Sequence, residues 1–307
     1  MIEISIIIRT YNESKHLDKI LQKIKNQTTN FTKEVVLVDS GSTDNTVEIA
    51  KSHNCRILEI KKEDFTFGRS LNIGCKAALG KYLVILSGHC IPFDENWLQN
   101  LVEPLESKNI GYVYGRQVGD QSSFFSEEMI FLHYFPVKSA VPQTGYFCNN
   151  ANSAILKNVW EKYYFDESIT GLEDLHLAKR MINDGLKLGY VSNAIVYHIH
   201  NETWPQIYRR FNREAIALKY ICPELQLKKR NFIFFFLSSY ISDLIAALKA
   251  KKDLKNIFYT ALLYRFNQYY GSYMGHREIW NSAKKLRSIY YYSGKKGETI
   301  QTTKFPN

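Results

Sequence analysis

Val36-Leu37-Val38-Asp39-Ser40-Gly41-Ser42-Thr43-Asp44 is a short apolar run that stops on a carboxylate and breaks into small polar residues around a glycine. Together with Glu34 and Val35 it reads as a strand buried on both faces, ending at Asp39. The turn after it leads into a helix through Val47 and Ala50. Working outward, Ile4-Ser5-Ile6-Ile7-Ile8 is an earlier β-branched run that ends at Arg9-Thr10-Tyr11-Asn12-Glu13. Leu17, Ile20, Leu21 and Ile24 follow at helical spacing, with Asn12 and Ser14 as candidate caps. Cys55–Ile60 and Tyr82–Leu86 read as further strands, with a helix over Arg69–Leu79 between them, closed by Gly80. Strand alternating with helix predicts an α/β fold with a mostly parallel sheet and right-handed crossovers. Ligands of such sheets gather beyond the carboxyl ends of the strands, where the polar clusters fall.

Beyond this unit, residues 95–108 have helical spacing and residues 111–170 mix short strands, aromatics and loops. Glu173–Asn183 reads as a helix, Tyr190–His198 as a strand, and everything from Trp204 as helices. The 307 residues are 45% hydrophobic and 23% charged, which excludes a disordered chain. Five cysteines, an odd number with no C-x-x-C pair, argue against a disulfide framework or structural zinc site and suit a reducing cytosol. Met1-Ile2-Glu3-Ile4 has no basic n-region, so no signal peptide is expected.

Charge divides the chain near residue 204. Residues 1–204 hold 21 Lys and Arg against 24 Asp and Glu, whereas residues 205–307 hold 19 against 6. The head is slightly acidic and the extension basic. A basic surface suits anionic lipid, an anionic acceptor or nucleic acid; it also suits a solvated set of helix faces. Phe232–Leu237 is six apolar residues, short of the roughly 20 that a span needs. These aromatics and those from Phe258 to Tyr273, near Lys228-Lys229-Arg230 and Lys249, Lys251 and Lys252, suit helices lying in a membrane interface. The same pattern suits a helix pair packed on the head or on a second copy of the chain. No nucleic-acid reader motif is present and the basic residues are interleaved with apolar ones, so a nucleic-acid partner is not expected. Ser293–Asn307 reads as a frayed, polar end.

Each polar cluster has two readings. Thr10, Tyr11, Asn12 and Glu13 lie where a strand tip opens a helix, offering backbone N–H groups to a nucleotide, or forming a simple cap. Asp39 suits a base N–H, with Gly41 letting the backbone approach the ligand, or closes an Asx turn with Ser42 as a cap. Glu173-Asp174 opens a helix, as a general base and its neighbour or as acids complementing the dipole. Asn149 and Asn150 offer amides to sugar hydroxyls, or form a polar turn.

Taken together, Ile7–Glu13, Val36–Asp44, Asn72-Ile73-Gly74 with Ala78-Leu79-Gly80, and Gly171-Leu172-Glu173-Asp174 resemble the family 2 glycosyltransferases of the GT-A fold, through about residue 200. The resemblance implies a Rossmann-like, mostly parallel sheet flanked by helices over residues 1–204, with a helical extension over 205–307. It implies inverting, single-displacement transfer from a nucleoside-diphosphate sugar to a glycan or polyprenyl-linked acceptor, in bacterial surface polysaccharide synthesis at the cytoplasmic face of a membrane. Thr10, Tyr11, Asn12, Glu13, Asp39, Gly41, Ser42, Arg69 and Asn72 would bind the nucleotide, and Asn149 and Asn150 the sugars. Asp174 would be the base, with Glu173 orienting it or binding acceptor. Phe67-Gly68-Arg69-Ser70-Leu71-Asn72 is similar to segments of rhamnosyltransferase-like members and points to a dTDP-deoxysugar donor.

One departure stands out. Where the family has Asp-x-Asp at the end of the fourth strand, this chain has Ser87-Gly88-His89. Three readings stay open. His89 replaces the acid that binds a divalent cation, Mn²⁺ accepting imidazole more readily than Mg²⁺, with His198 or His200 as second ligand. Alternatively, transfer needs no metal, and Arg69 and His89 stabilise the leaving phosphate. Or His89 is simply hydrogen-bonded at a strand end. Strand alternation predicts that only one of His198 and His200 faces the site. The missing acids also admit a non-catalytic nucleotide-sugar-binding subunit.

Overall fold

A computed structural model describes residues 1–278. The expected frayed end over Ser293–Asn307 lies outside the described residues. Strands β1 (Ile4–Thr10), β2 (Lys33–Asp39), β3 (Arg56–Glu59) and β4 (Tyr82–Ser87) alternate with helices α1 (Ser14–Lys25), α2 (Thr46–Ser52) and α3 (Phe67–Ala77). They pair in parallel in the order β3-β2-β1-β4. The remaining strands are β5 (Cys90–Pro92), β6 (Ile110–Val118), β7 (Asn152–Leu156) and β8 (Lys187–His198). They continue the sheet as β4-β7-β6-β8-β5, with β7 and β5 antiparallel to their neighbours and β6 parallel to β8.

From Ile4 to Ile8 the β1 run is apolar on both faces except at Ser5, because both faces are covered. Ile4, Ile6 and Ile8 pack with Leu17, Ile20 and Ile24 of α1 and with Trp97 and Leu101 of α4 (Trp97–Val102). Ile7, Val36 and Val38 pack on the other side with Leu71 and Cys75 of α3 and Leu177 and Met181 of α7 (Glu173–Asn183). Helices α5 (Phe125–Tyr134) and α6 (Lys157–Tyr163) complete the head.

Helix α8 (Trp204–Ile221) opens with a capping box, the Thr203 and Gln206 side chains and backbones answering one another, and with Pro205 in its first turn. Its far end buries Ile221 against Ile169 and Leu175. Helices α9 (Lys229–Lys249) and α10 (Leu254–Arg277) are docked through polar contacts as well as apolar ones. Buried Asp243 takes Arg265 Nε at 2.8 Å and Ser126 Oγ of α5 at 2.6 Å. The outer face is apolar and uncovered by any of the described residues: Phe234 is 64% exposed, Ile241 52% and Leu248 57%. One face of these helices packs on the head, as the second sequence reading expects, and the other is apolar and exposed. The six-residue run seen in sequence is also only part of a longer apolar helix. By length and composition α9 is able to cross a membrane, with a mean hydropathy of 1.6 and 11% of that stretch buried.

Candidate active site

The tips of β1 and β2 are locked together. Asp39 accepts from Thr10 Oγ1 (3.0 Å), Ser42 Oγ (2.5 Å), and the backbone N–H groups of Gly41 (2.9 Å) and Ser42 (2.8 Å). Gly41, at φ +84°, supplies the left-handed turn that brings these N–H groups onto the carboxylate. Ser42 Oγ in turn accepts from Asn12 N (2.8 Å), and Asn12 Oδ1 from Thr43 N (2.7 Å). Asp39 thus shapes the loop, and a base N–H would have to displace one of four internal donors. Asn12 and Ser14 do not cap α1; Glu13 holds that position, and Thr46 and Asp44 receive the N–H groups of Glu13 and Ser14. Tyr11 lies exposed at the rim, with Lys62 over its ring and 3.1 Å from its hydroxyl.

Across the cleft, α7 begins at the acidic pair after Leu172, a non-glycine residue held at φ +57°. Asp174 is buried and accepts from Asn150 N (2.8 Å) and Leu175 N (2.7 Å). Burial, then the charge of Glu173, pushes its carboxyl up to about 7, against the pull of these N–H groups and Arg9. Glu173 is paired with Arg9 (Oε1 to Nη1, 3.3 Å), and Arg9 also lies over the Phe67 ring. The adjacent residues Arg9 and Thr10 therefore reach the two acidic centres, Glu173 and Asp39.

The third component comes from β5, only three residues long. Its antiparallel register sets Cys90 opposite His198, which puts His89 beside the end of β8. The ring centroids of His89 and His198 are 5.1 Å apart and those of His198 and His200 4.0 Å. Both His198 and His200 thus join His89, correcting the expectation that only one would: β8 ends at His198, and the alternation of a strand does not extend to His200. Each ring's Nδ1 faces an oxygen: His89 to Glu13 (3.0 Å), His198 to Gln117 (2.6 Å) and His200 to Glu127 (2.6 Å). Burial, and then the neighbouring rings, hold His198 well below the ordinary histidine range, so it is neutral. Gly88 makes this placement available, since a Cβ there would lie 2.8 Å from Glu13 Cγ and 2.9 Å from Arg9 O.

Gln117 links the parts, accepting from His198 and donating to Asn149 Oδ1 (3.0 Å), next to the Asn150 that holds Asp174. Asn150 Oδ1 takes the Tyr112 hydroxyl and Ser153 Oγ, while its buried Nδ2 has no partner among the described residues. Arg69 and Asn72 turn elsewhere. Arg69 pairs with Glu167 at 3.3 Å. Asn72 uses its whole amide on Phe165, Glu167 and Trp160, bracing the loop before α7. Sequence reasoning missed Gln117 and Glu127, which carry no motif and become visible only through the pairing of β6 with β8 and the docking of α5.

A model of Glycosyl transferase family 2 matches residues 5–163, more than half of the chain. The chain belongs to glycosyl transferase family 2. As a family 2 glycosyltransferase it is an inverting enzyme, and the non-catalytic alternative is not favoured. Among its relatives is the O-antigen chain rhamnosyltransferase RfbN of Salmonella typhimurium, 29% identical over 222 residues, 68% of this chain and 70% of that one. The O-antigen chain rhamnosyltransferase WbaN of Salmonella anatum is 27% identical over 220 residues, 67% and 69% of the two chains. The mannosyltransferase PcManGT from Pyrobaculum calidifontis, solved with GDP-Man and Mn²⁺, shares the fold at a TM-score of 0.58 and 16% identity, over 95% of this chain and 88% of that one. A divalent cation is thus in keeping with this GT-A transferase. The donor set beyond the end of β4 fits one, with three histidines that bring one ring nitrogen each within 4.8 Å of one another.

Proposed function

We propose that the chain transfers a deoxyhexose from a dTDP-sugar to a lipid-linked glycan during surface polysaccharide synthesis, with Asp174 as general base. The observation that carries the base assignment is the unequal treatment of the acidic pair. Glu173 is held by Arg9, while Asp174, buried beside it with no cation paired to it among the described residues, has a raised proton affinity matched to neutral pH. Each Asp174 oxygen accepts one backbone N–H and retains a lone pair for an acceptor hydroxyl. The loop built on Asp39, Ser42 and Asn12, with Tyr11 at its rim, would receive the nucleoside, and the unpartnered Asn150 Nδ2 a sugar hydroxyl. A bound divalent cation at His89, His198 and His200 would supply positive charge to the departing diphosphate.

The deoxyhexose rests on the two rhamnosyltransferase relatives and the Phe67–Asn72 segment. The lipid-linked acceptor rests on the exposed apolar face of α9 and on the cations at its ends, Lys228, Lys229, Arg230, Lys249, Lys251 and Lys252. A donor screen tests the reading. dTDP-rhamnose should raise the melting temperature by mass action and support transfer, whereas a response to GDP- or CMP-sugars alone would overturn the donor assignment.

A further inference from the structure

We propose that His89, His198 and His200 form an all-imidazole site that takes a first-row transition-metal dication, from Mn²⁺ to Zn²⁺, and rejects Mg²⁺. The inference rests on the transferase reading for its setting, and its test does not. A neutral imidazole has one N–H, and here a different acceptor oxygen faces Nδ1 of each ring: Glu13, Gln117 and Glu127. In a neutral ring those acceptors favour the proton on Nδ1 and leave Nε2 with its lone pair, the arrangement in which outer partners orient metal-binding histidines. Ser87 Oγ, 3.3 Å from His89 Nε2, is a long and displaceable contact. Three imidazoles that bring one ring nitrogen each within 4.8 Å of one another, with no partner among the described residues for the remaining nitrogens of His198 and His200, constitute a donor set.

A second, overlapping group of Glu127, His200 and Glu202 is the weaker candidate. Arg210 already clamps Glu202 through Nε (2.9 Å) and Nη2 (2.7 Å), and Glu127 Oε1 accepts from His200. The charge of Glu202 is thus engaged by Arg210 and Glu127 Oε1 by His200, whereas Nε2 of His198 and of His200 has no partner among the described residues. Nitrogen donors suit the later first-row ions, while Mg²⁺ demands oxygens and dehydrates reluctantly. Neutral ligands also leave the ion's double charge facing a diphosphate, softened only by Glu13 and Glu127 behind two of the rings.

The full chain, stripped with EDTA, is titrated with Co²⁺, Zn²⁺, Mn²⁺ and Mg²⁺ by calorimetry, with the visible spectrum of bound Co²⁺ as a ligand-field readout. The proposal expects one Co²⁺, Zn²⁺ or Mn²⁺ per chain and no comparable Mg²⁺ uptake. His200→Ala should change the Co²⁺ spectrum and, like Glu127→Gln, weaken binding by about 10–100-fold. His89→Ala is the second variant, used if circular dichroism shows His200→Ala misfolded. Wild-type Co²⁺ binding and spectrum in a folded histidine variant overturn the proposal, as do Mg²⁺ binding as tight as Mn²⁺ binding, or no stoichiometric uptake at all. Sugar transfer is scored separately: metal uptake without transfer supports the site and refutes the transferase reading, and full transfer with no metal taken up refutes the site alone.

Discussion

Arg9 Nη1, near the tip of β1, lies 3.3 Å from Oε1 of Glu173, the first residue of α7. The ion pair joins the loop proposed to receive the nucleotide to the helix that carries the proposed base. Asp174, next to it, is buried and has a raised proton affinity, from burial first and then from the charge of Glu173. Both partners are largely buried, and Arg9 further donates to Phe67 O and covers the Phe67 ring.

Removing one member of such a pair strands the other. Arg9→Ala should therefore destabilise the protein by about 3 kcal/mol in urea unfolding. Wild-type stability would show that Glu173 finds water or another partner instead.

Asp174 gives the enzyme a pH signature. Its carboxyl is raised, so the folded state binds this proton more tightly than the unfolded chain does. Stability from this group is fully present below the unfolded value near 4 and is lost as pH rises toward about 7. Activity runs the opposite way, because a base must be ionised: kcat/KM should climb through pH 7. The measurement is a paired pH series of transfer rate and melting temperature, wild type against Asp174→Asn. The wild type should lose stability relative to the variant between pH 5 and 8, and a flat difference would contradict the assignment.

Much of this was legible in the sequence because it is local. The β1 and β2 runs, their polar tips and the α7 helix are each contiguous, and Glu173–Asn183 forms the helix its spacing predicts. What stayed hidden depends on strand pairing. Nothing in Cys90-Ile91-Pro92 announces a strand, yet its register with β8 assembles the histidines. Asn72, part of a recognisable block, sits instead under Trp160 and Phe165, because the loop before α7 folds over α3. The amphipathic pattern of α9 leaves two faces unassigned until Asp243 marks the inner one by pairing with Arg265.

Gly88→Ala tests the close approach behind His89. With Glu13 Cγ and Arg9 O in the way, the turn must shift, at a cost of about 1–3 kcal/mol. Denaturation should show that loss, and diphosphate-dependent donor binding should weaken with it. An unchanged unfolding midpoint would mean that the turn relaxes freely.

The exposed face of α9 predicts sedimentation of the full chain with vesicles containing anionic lipid, weakened by salt. Phe234→Ser with Ile241→Ser should reduce it while leaving melting temperature nearly unchanged, since both side chains are already exposed. Equal binding by that double variant would remove α9 from the surface that meets lipid.

The central claim is that Asp174 takes the acceptor's proton. The decisive measurement is transfer by Asp174→Asn at pH 8, alongside its affinity for the donor nucleotide. The account predicts donor binding close to wild type and a rate lower by about 10²–10⁴-fold. Transfer at the wild-type rate by a folded variant would contradict it.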